Sequence, residues 1–208
     1  MSAACGLWLP AQPLLLASGS ATRREMLAAA GVPVETDKPD IDERALEARL
    51  VAAGATSGEI AQALALEKAR IVSLRAPGRI VLGADQPLSC EGQRFHKPAD
   101  EAAARAQLVA LSGKAHSLHS AFAIVLDGAV LTEGVAEARL TMRGLTPDFI
   151  ATYAAASGPA VTTSVGGYQI EGLGVQLFET IEGDHFTILG LPLLPVLAAL
   201  RAVDCLVR

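Results

Sequence analysis

Leu14–Leu27, LLLASGSATRREML, passes from an apolar run (Leu14, Leu15, Leu16, Ala17) through small and hydroxyl residues (Ser18, Gly19, Ser20) into a helix-prone segment carrying Arg23 and Arg24. That order reads as strand, tight loop and helix start. The free N–H groups of a helix's first turn carry partial positive charge, so the junction favours an anion, and two adjacent arginines add fixed charge to it. A phosphate site is the functional reading. A Ser-capped helix with solvated arginines is the plain one, and the stretch alone does not separate them.

The 208 residues suffice for one sizeable domain with a real core. Although 51% of the chain is hydrophobic, charge, Gly or Pro interrupts each apolar run before the roughly 18 residues that a membrane span needs. The opening MSAACGLWLPAQP has no basic leader region, so a poorly ordered tail over residues 1–13 and a cytoplasmic location are expected, with a single domain over 14–208. Cys5, Cys90 and Cys205 lie far apart and form neither a thiolate zinc unit nor a disulfide framework. A net charge of −5 and 4% aromatic residues argue against a nucleic acid polymer as partner. An anionic partner would be small and met by a local cluster of cations.

Along the chain, the pattern predicts a short helix over Arg23–Ala30, a strand near Val32–Glu35 and an acidic turn from Asp37 to Arg44. Helices follow over Ala45–Ala53 and Glu59–Leu74, the second leaving Glu67 and Lys68 near one edge. Arg79–Gly83 reads as a buried strand running out into Ala84, Asp85 and Gln86, and open α/β sheets place their chemistry at such strand ends. Asp100 is an expected N-cap for a helix over Glu101–Leu111. Strands are predicted over Ser117–Leu126, Val130–Thr132, Val135–Met142 and Val175–Ile181, and helices over Thr146–Ala156 and Leu193–Val203.

Four places concentrate charge: Arg23 with Arg24, Asp42 with Glu43, Asp85, and Lys97 before Pro98. Taken singly, each is also an ordinary surface feature; an unpaired carboxylate at the end of a core strand is the most costly of them. Together, cations to neutralise a polyphosphate and carboxylates to hold a divalent metal or deprotonate water form one chemical set. Competing motifs fail. The Gly113–Lys114 pair lacks the glycine spacing of a P-loop, the later glycines are not in dinucleotide-binding register, and no GxSxG elbow surrounds Ser18 or Ser20. His116 and His119 read as a polar surface pair rather than a metal site.

Several ordered segments resemble the Maf family of nucleoside triphosphate pyrophosphatases. LASGSATRRE, PDIDE, ALEKAR, VLGADQ, HKPAD, LSGKAHSLHSAFAIV, VGGYQIEGLG and EGDHFTILGLPL are similar to that family's successive motifs from about Leu14 to Leu200. The resemblance implies an α/β fold of the inosine-triphosphatase-like kind, a long mixed sheet with helices in two lobes around a cleft. It implies cleavage of a nucleoside triphosphate between the α and β phosphates with Mg²⁺ or Mn²⁺, and it suggests a homodimer. Ser20, Arg23 and Arg24 fall on the phosphate-loop positions and Glu43 on the acidic position. Lys68 and Lys97 match the family lysines, and Asp85 falls on the residue assigned as proton acceptor, with Glu43 and Asp85 as the metal pair.

Thr22, Gln86 and Glu171 occupy positions that distinguish family subgroups. Gln86 and Glu171 resemble the subgroup preferring 7-methyl-GTP, whereas Thr22 stands where that subgroup usually has an aromatic residue, and Ala21 replaces the usual loop proline. A carboxylate at Glu171 suits the two donors of a guanine edge, N1–H and the exocyclic amine. The leading expectation is therefore a metal-dependent pyrophosphatase that clears modified purine nucleotides. The alternative is a non-catalytic nucleotide-binding regulator of cell division or septum formation, and a nicotinamide-dependent oxidoreductase would rest on scattered glycines alone.

Overall fold

Leu14–Ala17 forms strand β1, and none of its four residues is more than 6% exposed. The computed structural model describes residues 6–208. From β1 the chain runs through α1 (Ala21–Ala29), β2 (Val34–Thr36), α2 (Glu43–Ala52), α3 (Ser57–Arg75) and β3 (Ile80–Asp85). It continues through β4 (Leu88–Cys90), β5 (Gln93–Phe95), α4 (Glu101–Leu111), β6 (Ala115–Leu126) and β7 (Ala129–Met142). Last come α5 (Pro147–Ser157), α6 (Ala160–Thr163), β8 (Phe178–Glu182), α7 (His185–Ile188) and α8 (Leu193–Ala202). The class is α/β with a mixed sheet, as expected, and no helix among the described residues is long and apolar enough to cross a membrane.

The chain divides into two compact units that interleave in sequence. The first takes the chain up to Gln86, Ser120–Ala136 and Gly190–Arg208; the second takes Pro87–His119 and Glu137–Leu189, so β6 and β7 contribute residues to both.

In the first unit β1 lies parallel between β2 and β3, with its last residue Ala17 opposite Gly83, so β3 runs on past the end of β1 through Ala84 to Asp85. Strand β3 then pairs antiparallel with β6, Asp85 facing Ala121. Helix α3 begins at a capping box in which Thr56 and Glu59 satisfy each other's end groups. It lies across β3 along the fully buried Ala61, Ala65 and Ala69, one residue per turn of a single face. Opposite them is Gly83, where a Cβ would fall 2.0 Å from the Ala65 carbonyl oxygen and 2.9 Å from the Ala69 Cβ. Small residues on both sides let the helix backbone approach the strand.

The segment from Leu7 to Pro13 departs from the expected loose tail. Trp8 is 8% exposed and bridges to Leu206, Leu9 N donates to Cys205 O, and Pro13 O accepts from Arg79. A large aromatic ring gains enough from burial to hold its short segment against the chain's far end. Residues 1–5, including Cys5, lie outside the described ones.

In the second unit β4 pairs with β5 and with the start of β6, and α4 starts at Asp100, whose carboxylate accepts from Ala103 N at 2.8 Å. His116 corrects the surface-pair reading. It is 2% exposed, and its Nε2 lies 2.8 Å from the Tyr168 hydroxyl, with the Phe178 ring packed on both. Burial holds the His116 imidazole down to about 4, and pushes the Tyr168 phenol up, so both are neutral near pH 7.

Two strand expectations also change. Val130–Thr132 and Val135–Met142 are parts of one strand, β7, because the Phe122 ring fills the space beside Gly134. The strand expected from Val175 begins at Phe178, since Leu173–Leu177 coils in a 3-10 turn where Gly174 presses on the Gln169 backbone.

Two outcomes follow from this packing. Gly83→Ala drives a methyl group into backbone and should lower the unfolding free energy by at least about 2 kcal/mol in urea titrations, while Gly78→Ala, where a Cβ meets nothing within 4 Å but φ is +72°, should cost less. His116 binds its proton more weakly folded, at about 4, than unfolded, at 6.5. Between those values the unfolded chain holds more protons, so stability falls with falling pH, by up to about 3 kcal/mol in total. His116→Gln, which does not titrate there, should remove that part of the slope in unfolding free energies measured from pH 7 to 4.

Candidate active site

The carboxyl ends of β1 and β3 and the start of α1 supply one cluster in the first unit. After β1 the loop is tied by its own hydroxyls: Ser20 N donates to Ser18 Oγ at 3.2 Å, and Ser20 Oγ caps α1 by accepting from Arg23 N at 3.3 Å. Thr22, in the first turn, is half-buried, and Arg24 is exposed with Nη2 3.8 Å from Glu25 Oε1.

Arg23 turns inward. Its Nε donates to the Gly190 carbonyl at 2.8 Å, and its Nη1 donates to Ala84 O at 2.9 Å and to Ser18 Oγ at 3.2 Å. One guanidinium thereby joins the loop after β1, the end of β3 and the entry to α8. Burial lowers the affinity of Arg23 for its proton, and the carboxylates of Asp85 and Glu43 oppose that effect; an arginine stays charged throughout. Sequence reading counted Arg23 among phosphate-binding cations but missed this bracing role and Gly190 itself, which takes a φ of 103° between Arg23 and Gln86. The signal was present in the glycine of EGDHFTILGLPL, though nothing local says which side chain reaches its carbonyl.

Lys68 stands at the centre of the acidic groups. Its Nζ is 2.6 Å from Asp85 Oδ1 and 3.0 Å from Glu43 Oε1, with its side chain 8% exposed. The geometry has a local cause. Asp85 and Gly83 share a face of β3, two residues apart, and the close approach at Gly83 brings the α3 turn carrying Lys68 to the strand's end. Asp42 and Glu43, adjacent in sequence, divide their work: Asp42 Oδ1 caps α2 by accepting from Ala45 N at 2.9 Å, and Glu43 reaches Lys68. Gln86 Nε2 donates to the fully buried Ser120 Oγ at 2.9 Å, a partner that sequence reading did not single out.

Thus Ser20, Thr22, Arg23, Arg24, Glu43, Lys68, Asp85 and Gln86 all belong to the first unit. Lys97 and Glu171 belong to the second. Lys97 is exposed in the loop between β5 and α4, and Glu171 is exposed in the turn before Leu173.

The paired carboxylates offer hard oxygen donors of the kind Mg²⁺ or Mn²⁺ takes, and Lys68 engages one oxygen of each, leaving each a second. Among the described residues no group of three or more His, Cys, Asp or Glu side chains is placed to hold a metal.

A family model described as Maf-like protein matches residues 13–203. The chain belongs to the Maf-like family. A nucleoside triphosphate pyrophosphatase of Nitrobacter winogradskyi is 55% identical to this Maf-like chain over 196 residues, covering 94% of it and 96% of the relative. One of the same name from Rhodopseudomonas palustris is 54% identical, covering 96% and 98%. A 7-methyl-GTP pyrophosphatase of Mesorhizobium japonicum is 52% identical, covering 94% and 98%. Close relatives of the Maf-like chain thus carry both names that its motifs had pointed to.

Proposed function

We propose that the chain hydrolyses a nucleoside triphosphate between its α and β phosphorus atoms, releasing the nucleoside monophosphate and pyrophosphate. The observation that carries this reading is Asp85, a carboxylate at a strand end, fixed by Lys68 beside Glu43 and flanked by the arginine-bearing start of α1. The names of relatives at 50–55% identity support it.

Asp85 accepts a proton as water oxygen bonds to the α phosphorus, the bond from that phosphorus to the bridging oxygen breaks, and pyrophosphate leaves. Lys68 holds the Asp85 carboxylate in place, its Nζ donating to Oδ1 at 2.6 Å. The first turn of α1, with Ser20, Arg23 and Arg24, takes phosphate charge. Glu43 and Asp85 would hold Mg²⁺ or Mn²⁺, and the bound cation would supply neutralisation of phosphate oxygens.

For the base, Glu171 offers a set of carboxylate oxygens to the two adjacent donors of a guanine edge. A purine triphosphate, including a modified one such as 7-methyl-GTP, is the substrate class that this set favours.

With Mg²⁺ or Mn²⁺ and a panel of triphosphates, the purified protein should release pyrophosphate, and Asp85→Asn should lower kcat by about a hundredfold or more. Stepwise release of inorganic phosphate, or an Asp85→Asn variant as fast as the parent, would overturn the reading. Tight nucleotide binding with no turnover would favour a regulator instead.

A further inference from the structure

The second unit holds a polar contact that the proposed chemistry does not use. Tyr168 lies three residues before Glu171 in VGGYQIEG, and its hydroxyl is bonded to His116 on β6. Around Glu171 the chain has little regular structure. Gly166 and Gly167 both have positive φ, 80° and 74°, a path that other residues rarely take, and Tyr168 then extends toward Glu171 at an exposed turn.

Separate hydrogen bonds hold that path in place. Gln107 Oε1 accepts from Gly166 N at 3.0 Å, Tyr153 OH donates to Gly167 O at 3.2 Å, and Gln169 Nε2 donates to Thr163 Oγ1 at 3.0 Å. Gly172 N closes the turn onto Gln169 O at 3.2 Å. Gln107 and Tyr153 act from the helices α4 and α5, and His116 supplies the most deeply buried of these anchors from a strand paired with β4. A rigid element is the better support for a residue whose position matters.

The contact is expensive as mere filling. A buried imidazole and phenol must both lose water, and His116 Nδ1 finds no hydrogen-bond partner among the described residues. Phenylalanine and leucine would occupy the same space without that cost. What the polar pair adds is direction: a hydrogen bond fixes where Tyr168 sits along the strand face, and through three residues of tightly held chain it fixes Glu171.

We infer that His116, acting through the Tyr168 hydroxyl, is a positioning residue that sets the Glu171 carboxylate for recognition of the nucleotide base. The inference rests on the reading of Glu171 as the base-recognising group. Phosphate binding should therefore be indifferent to the contact, and base recognition should depend on it.

Titration calorimetry with the full chain separates the two, using the α,β-methylene analogues of GTP and UTP and, as a probe without a base, inorganic triphosphate. Tyr168→Phe, which keeps the ring, and His116→Phe should each weaken the GTP analogue about tenfold while changing inorganic triphosphate by no more than about twofold. The preference for the GTP over the UTP analogue should shrink accordingly. The double variant should be no weaker than either single one, and His116→Gln, which can present a nitrogen near the Nε2 position, should recover most of the loss. Equal weakening of the GTP analogue and inorganic triphosphate, or no change in either, overturns the inference. Glu171→Ala keeps the two claims apart. If it leaves the GTP analogue's affinity unchanged, the base assignment has failed; if it weakens that affinity while Tyr168→Phe does not, the positioning role has failed.

Discussion

One ammonium group between two carboxylates organises the first unit. Lys68 Nζ lies within hydrogen-bond distance of both Asp85 and Glu43, and each of the three comes from a different element: α3, the end of β3 and the start of α2. Two carboxylates this close to one point would repel each other if left alone. A nearly buried lysine between them offsets that repulsion by engaging one oxygen of each. The ion pair is accordingly better understood as fixing the position of Asp85 than as a contribution to stability, since buried pairs often give little net gain.

That arrangement depends on packing that has nothing to do with charge. Only because Gly83 admits the backbone of α3 against β3 does Lys68 arrive beside Asp85, and only because β1 and β3 are adjacent and parallel does the α1 junction open beside the end of β3. Arg23 then ties the junction together by bonding to Ala84 O and Gly190 O, so one side chain connects the loop, the strand end and the chain entering α8. Small residues and backbone carbonyls thus place the charged groups, and the charged groups do the chemistry.

The sequence made part of this legible. The apolar run into Ser18–Ser20, the strand ending at Asp85 and the cap at Asp100 are local patterns, and local patterns of that kind appear in the structure where the residues put them. Roles that depend on distant partners were not legible. Arg23 meets Gly190 across 167 positions, His116 meets Tyr168 across 52, and Trp8 meets Leu206 at the other end of the chain. No periodicity encodes such pairings. Asp42 and Glu43 show the limit well, because both acids fit a cap or a site, and only the start of α2 in space decides that Asp42 caps while Glu43 reaches Lys68. The family motifs brought Lys68 into view where helical spacing had left it as an edge cation without a role.

Turnover by Lys68→Met under saturating divalent cation tests the central claim most directly, since methionine matches the chain's bulk and removes only the charge. A folded variant whose kcat falls by about a hundredfold or more, with Asp85 no longer held in place by its ion pair, is what the account predicts. A Lys68→Met protein that turns over a nucleoside triphosphate at the parent rate would contradict it.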